Sequence, residues 1–274
     1  MILLIAALLF IRIFFTIFFV SSNDLTSLDW AGYAVTSNSA NPLPQVVGIN
    51  GSWTVPEVNV SQRNTFSAAW IGIGGLVEGD ETLIQTGTEQ DSLSGIATYS
   101  AWYELLPNDS VTITTIKVSQ GDEIAASINL VDSTTNEWSI EMVDATNKQS
   151  FQENFIYDSS RLSAEWIVER PSIDSSLVTL ANFGNITFTN SKMTMNNTIG
   201  TISNFSFARI TMQNRQNRQL VTVSSLSSDG SSFTVTYLSP TSTTQSVLNK
   251  AVESKIAAAT RKVFWFPMVF SEEP

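Results

Sequence analysis

The chain has 274 residues, contains neither His nor Cys, and carries 25 acidic against 14 basic side chains, a net charge of −11 at pH 7. Without imidazole or thiol, a Ser-His-Asp triad, a Cys-His pair and thiolate or imidazole metal sites are excluded. Any bond-breaking chemistry falls to carboxylates, amides and hydroxyls, and the acidic balance argues against a nucleic-acid partner.

The first twenty residues are apolar except for Arg12 and Thr16. As a helix they would reach roughly 30 Å, the thickness of a bilayer core. Residues 1–22 are therefore expected to be a signal peptide or a membrane anchor acting through residues 1–20. The rest of the chain is then secreted, or anchored with its bulk outside the cytoplasm. Six N-x-[ST] sequons, at Asn50, Asn59, Asn108, Asn185, Asn196 and Asn204, are compatible with export.

Beyond the leader, apolar and polar residues alternate with period two. Ile124, Ala126, Ile128 and Leu130 form one such row, and Trp138, Ile140 and Met142 a second. Ile186 with Phe188, and Phe233 with Val235 and Tyr237, continue the pattern. Each reads as a half-buried strand. Asn50-Gly51, Gly74-Gly75, Pro107-Asn108-Asp109, Gln120-Gly121-Asp122 and Asp229-Gly230 read as turns between strands. No helical period interrupts before residue 243, so the expected fold is all-β, a two-sheet antiparallel sandwich. Residues 241–274 differ. Ser246–Val263 has helical spacing and holds four cations, and is read as a short basic, helical C-terminal tail.

Two strands carry chemistry. LIQTGTEQD (Leu83–Asp91) places Gln85 on a face with Leu83, Gly87 and Glu89; SAEWIVERP (Ser163–Pro171) places Glu165 with Ile167 and Glu169. Trp102 shares a face with Glu104, and Trp70 with Gly72 and Gly74. If these faces line one concave sheet, Gln85 and Glu165 meet among Trp70, Trp102, Glu89 and Glu104.

Seven segments, in order, resemble the glutamic peptidases, or eqolisins. They are DWAGYAV (Asp29–Val35), GSWTVPEV (Gly51–Val58), WIGIGG (Trp70–Gly75), LIQTG (Leu83–Gly87), AWYELLP (Ala101–Pro107), SAEWIVERP and GSSFTVTY (Gly230–Tyr237). The resemblance implies a lectin-like (concanavalin A, jelly-roll) sandwich over residues 29–238. It also implies an acid endopeptidase that acts on polypeptides without metal or cofactor. Carried over by motif, the catalytic residues are Gln85 and Glu165, and Trp70, Trp102, Glu104, Glu89 and Ile167 are assigned to substrate binding. The expected chemistry has ionised Glu165 as general base toward water and Gln85 as donor to the oxyanion. A Gln85 hydrogen bond to Glu165 would keep that carboxylate ionised in acid. Two positions depart from the family pattern: Gly74 stands where an acid is common, and Glu89 where an Asp is common. The alternative reading is a carbohydrate-binding or glycoside-cleaving sandwich, with Glu165 and Glu104 as its acid pair.

Overall fold

The computed structural model describes residues 22–37, 45–173 and 176–239. The leader and the C-terminal tail lie outside the described residues. In chain order the strands begin with β1 (Ser22–Ser27), β2 (Trp30–Thr36), β3 (Val46–Thr54), β4 (Ala68–Gly74), β5 (Leu83–Leu93) and β6 (Ile96–Leu105). Next come β7 (Val111–Thr112), β8 (Glu123–Asp132), β9 (Glu137–Asp144), β10 (Gln149–Ile156), β11 (Ser163–Glu169) and β12 (Ser172–Ile173). The last are β13 (Ser176–Leu177), β14 (Asn185–Met195), β15 (Thr198–Thr201), β16 (Phe207–Met212), β17 (Val221–Val223) and β18 (Phe233–Tyr237). The helical content of the described residues is one 3-10 turn, Ile202–Asn204.

Two large sheets form the sandwich. The first has strand order β1-β16-β2-β11-β4-β5-β6-β7, the second β10-β9-β8-β3-β14-β18-β17. Neighbours pair antiparallel except β1 with β16, which run parallel. The expected all-β architecture is thus observed, with β12 and β13 forming a separate small hairpin.

Alternation drives the layers together. In β8 and β9, Ile124, Ala126, Ile128, Trp138, Ile140 and Met142 are buried, as their spacing predicts. From the first sheet, Ile71, Ile73, Ile84, Ala164, Trp166 and Val168 enter the same core. Trp166 also fastens the layers by a directed bond, its indole Nε1 donating to the Asn50 carbonyl at 2.9 Å. The opposite face of the first sheet carries a second apolar cluster, which includes Trp30, Trp70, Leu83, Trp102, Ile167 and Ile210. That outer face also bears the residues with chemical potential.

One turn assignment is corrected. Asn50-Gly51 lies inside β3, whose pairing with β8 runs unbroken from Gly48 to Thr54. Its glycine answers to packing instead. A Cβ at position 51 would stand 2.9 Å from Trp166 Cδ1 and 3.1 Å from Ile71 Cγ2. The two layers approach too closely here for any side chain. Gly74-Gly75 behaves as read, both residues having positive φ at the end of β4. Because overpacking of a filled core costs about 1–3 kcal/mol, Gly51→Ala should lower the stability read from a urea melt by that amount. A melt unchanged within error would contradict the close-approach reading.

Candidate active site

Strand register builds the site. Glu165 on β11 pairs with Gly72 on β4, Gly72 pairs with Gln85 on β5, and Gln85 pairs with Glu104 on β6. These four positions form one row across the outer face. Ile167, Trp70, Gly87 and Trp102 form the next row, and Glu169, Ala68, Glu89 and Ser100 the one after. Every assigned site residue therefore lies on the same face. The backbones of Glu165 and Gln85 are two strand spacings apart, about 10 Å, and the intervening position has no side chain.

Burial and hydrogen bonding distinguish the members. Glu165 is fully buried and Gln85 is 4% exposed. Gln85 Nε2 donates to Glu104 Oε2 at 2.5 Å. Gln85 Oε1 and both carboxylate oxygens of Glu165 are buried with no hydrogen-bond partner. Three buried polar oxygens on one face without partners mark a place for a hydrogen-bonding molecule to enter, because such groups are ordinarily satisfied. The indole Nε1 atoms of Trp30 and Trp102 are likewise buried and unpaired.

The expected bond from Gln85 to Glu165 is not formed, since the Gln85 amide nitrogen is held by Glu104 instead. Glu165 is therefore not held ionised. Burial raises the Glu165 pKa well above the ordinary carboxylate range, and the negative charge of Asp80 adds to this. The Ser163 hydroxyl pulls the other way, yet it makes no hydrogen bond of good geometry and is itself unpaired. Burial decides, and Glu165 is neutral in acid. Glu104 is also raised, chiefly by burial and further by Asp109 and Glu89, with the Gln85 bond opposing.

Glu89 does not support Gln85. Its Oε2 accepts from Ser100 Oγ at 3.0 Å, and the carboxyl at Gln85 is that of Glu104. Gly74, the other departure, is near Asp80, whose Oδ2 accepts from the Gly75 amide at 3.0 Å. Burial pushes the Asp80 pKa up, but bonds from Ser160, Gly75 and Thr82 outweigh it and hold the carboxylate below its usual range. Asp80 thus supplies a carboxylate to this end of the site from a loop rather than from β4.

Sequence reasoning placed Glu169 on the correct face but gave it no role. Its Oε2 accepts from Trp70 Nε1 at 2.7 Å. Burial, together with the neighbouring Asp29 charge, lifts its pKa to about 8. Trp30, which packs edge-on to Trp70 with centroids 4.9 Å apart, was also missed; it stands one residue past Asp29, and its parity with Gly32 and Ala34 was the available signal. Asp91, on the same face of β5, is raised by burial to about 7, with the Ser67 amide bond opposing.

Among the described residues no cluster of three or more His, Asp or Glu side chains is arranged to hold a metal. An open cavity of about 420 Å³ between Thr54, Glu57, Gln120 and Asn185 lies on the second sheet, away from Gln85 and Glu165. For a glycosidase, the pair Glu165 and Glu104 stands three strand spacings apart, about 14 Å between backbones, with Gln85 bonded to Glu104 between them.

Comparison with known proteins identifies the family. The peptidase A4 family model matches residues 28–237. Aspergillopepsin-2 of Aspergillus niger is 30% identical over 243 residues, 80% of each chain. The crystal structure of aspergilloglutamic peptidase from Aspergillus niger is 29% identical, with a TM-score of 0.55, over 64% of this chain and 99% of that one. Scytalido-glutamic peptidase, solved with a transition-state analogue inhibitor, shares the fold at a TM-score of 0.65 and 21% identity, over 77% of this chain and 99% of that one. The carbohydrate reading is accordingly not favoured. The chain belongs to the peptidase A4 family and is a glutamic-type acid endopeptidase.

Proposed function

We propose that Gln85 and Glu165 are the catalytic dyad of this endopeptidase, acting on a water molecule and a polypeptide held across the outer face of the first sheet. The observation that carries the reading is the set of three unpaired buried oxygens, Gln85 Oε1 and the two of Glu165, flanking Gly72. One water spanning that gap would give a hydrogen to each side.

The raised pKa of Glu165 selects the form that reacts. A neutral carboxyl offers a donor on one oxygen and an acceptor on the other. In the first step the water oxygen bonds to the scissile carbon. Its proton passes to the carbonyl oxygen of Glu165, while the Glu165 hydroxyl gives its own proton to the substrate carbonyl. The product is a neutral gem-diol, and Glu165 ends the step neutral. In the second step the same carboxyl protonates the amide nitrogen and takes a proton back from the gem-diol as the C–N bond breaks. Gln85 aligns the water through Oε1, and its second N–H donates to the oxygen that gathers charge. Glu104 holds the amide in that orientation through the first N–H. Trp70, Trp102 and Ile167 line the neighbouring row as an apolar floor for substrate side chains.

Placement outside the cytoplasm is supported by the apolar first twenty residues and by the acid chemistry. No helix among the described residues is long and apolar enough to cross a membrane.

Cleavage of casein at about pH 3, where ordinary carboxylates are largely protonated, tests the dyad. Removing one donor of this kind lowers kcat by about 10²–10³, so Gln85→Ala should fall by that factor and Glu165→Gln further. A Glu165→Gln enzyme with parental kcat would end the assignment.

Stability should follow the same protons. Glu165, Glu104, Glu169 and Asp91 all have folded pKa values raised above their unfolded ones. Between about pH 4 and 8 the native chain therefore binds more protons than the unfolded chain, and stability is lost as pH rises. The melting temperature should be highest in acid and fall as pH rises to about 8, and Asp91→Asn should flatten the fall between about pH 4 and 7. A melting temperature that climbs from pH 4 to 8 would contradict the burial argument.

A further inference from the structure

Trp70 sits where the dyad is set apart. A Cβ built on Gly72 would lie 2.9 Å from Trp70 Cζ3 and 3.3 Å from Gln85 Cβ. The benzo edge of the Trp70 ring thus covers the side-chain-free position between Glu165 and Gln85. The other end of the same ring, Nε1, donates to Glu169 Oε2 at 2.7 Å. Trp30 abuts the ring edge-on, its centroid 4.9 Å away and its plane at 79°. The indole is held at both ends, and its one polar atom donates to Glu169.

We propose that Glu169 is a positioning residue for the reaction: through Trp70 it fixes the width of the gap over Gly72 that the attacking water occupies. The inference rests on the dyad reading above. Glu169 touches neither reacting group in the row. It lies four residues along β11 from Glu165, on the same face, with Ile167 between them opposite Trp70. Without the acceptor, the indole turns about its side-chain bonds and the benzo edge leaves Gly72. The gap then changes by a fraction of an ångström to an ångström. A misplacement of that size is enough to cost about 10²-fold in rate, while substrate contacts further along the face remain.

Glu169→Met keeps the length of the side chain and removes the acceptor. Glu169→Gln keeps a carbonyl acceptor. With casein-derived peptide substrates in acid, kcat of Glu169→Met should fall about 10–100-fold, with KM within about threefold of the parent. Glu169→Gln should recover most of the loss. Trp70→Phe removes the N–H, so Trp70→Phe and Trp70→Phe/Glu169→Met should share one kcat, because coupled residues are not additive. A Glu169→Gln enzyme as slow as Glu169→Met, or an equal factor lost in both backgrounds, would overturn the proposal.

Indole ¹⁵N–¹H spectra provide a second readout independent of turnover. The Trp70 signal, identified by its loss in Trp70→Phe, should move in Glu169→Gln. The signals of Trp138 and Trp166, whose Nε1 atoms donate to the carbonyls of Tyr157 and Asn50, should stay in place. Movement of all three, or of none, counts against the link. The two readings fail separately. If Glu165→Gln keeps parental kcat, the dyad is wrong; if Glu165→Gln is inactive and Glu169→Met is as fast as the parent, only the positioning role falls.

Discussion

One register, held across β11, β4, β5 and β6, builds the candidate active site of this protein. Side chains alternate along each strand, so a slip of one residue in any of the three pairings would send its reactive group into the core. The pairing that sets Glu165, Gly72, Gln85 and Glu104 in one outward row also sets Trp166, Ile71 and Tyr103 inward. Burying those inward residues, with the Trp166 indole bonded to Asn50 of the facing sheet, selects the register. The site needs no separate device to align it. Mutational damage to the inner face is therefore damage to the site as well, through pairing rather than contact.

The same face holds acids where no base stands nearby. A buried ionised carboxylate without partners is costly, and proteins commonly resolve that cost by neutralising the group. Glu165, with both oxygens unpaired, is resolved in this way, and burial raises Glu169 too despite its bond from Trp70 Nε1. Neutral Glu165 is then able to give and take a proton in one step, which an ionised carboxylate cannot do. The desolvation that raises its pKa is thereby tied to the role proposed for it. Had Gln85 donated to Glu165, the charged form would have been favoured; the amide nitrogen donates to Glu104 instead.

Much of this was legible in the residues. Period-two alternation located β8, β9, β14 and β18, and it assigned each face of β11 and β5 correctly, because a half-buried strand writes its two environments into alternate positions. Asn50-Gly51 misled for a physical reason. The dipeptide is a turn signal through its tolerance of positive φ, whereas Gly51 is small because Trp166 and Ile71 crowd it. Sequence alone does not separate the two causes. Nor does it reveal which carboxyl takes the Gln85 amide. Glu89 and Glu104 both share its face, and only the β5–β6 pairing, in which Gln85 is opposite Glu104 and Glu89 is opposite Ser100, decides between them. The bond from Trp70 to Glu169 depends on a rotamer, that of Trp70, which alternation cannot supply.

The charge pattern completes the account of an acid-working chain. Acid usually unfolds proteins by protonating carboxylates that ion pairs hold in the native state. Among the described residues a single ion pair, Arg209 with Asp24, is formed, so little is lost that way. The lower limit instead lies with carboxylates held below their usual range by hydrogen bonds. Asp80 is one, bound by Ser160, Gly75 and Thr82 at the mouth of β5. Asp229 is another, lowered to about 2 by Ser227 and Ser231 in its turn. For such groups the native contribution is present above the unfolded pKa and is lost as pH falls through the folded one. Raised carboxyls thus close the working range from the alkaline side, and hydrogen-bonded aspartates close it from the acid side. Both limits follow from where the chain places its acids, and neither requires a histidine.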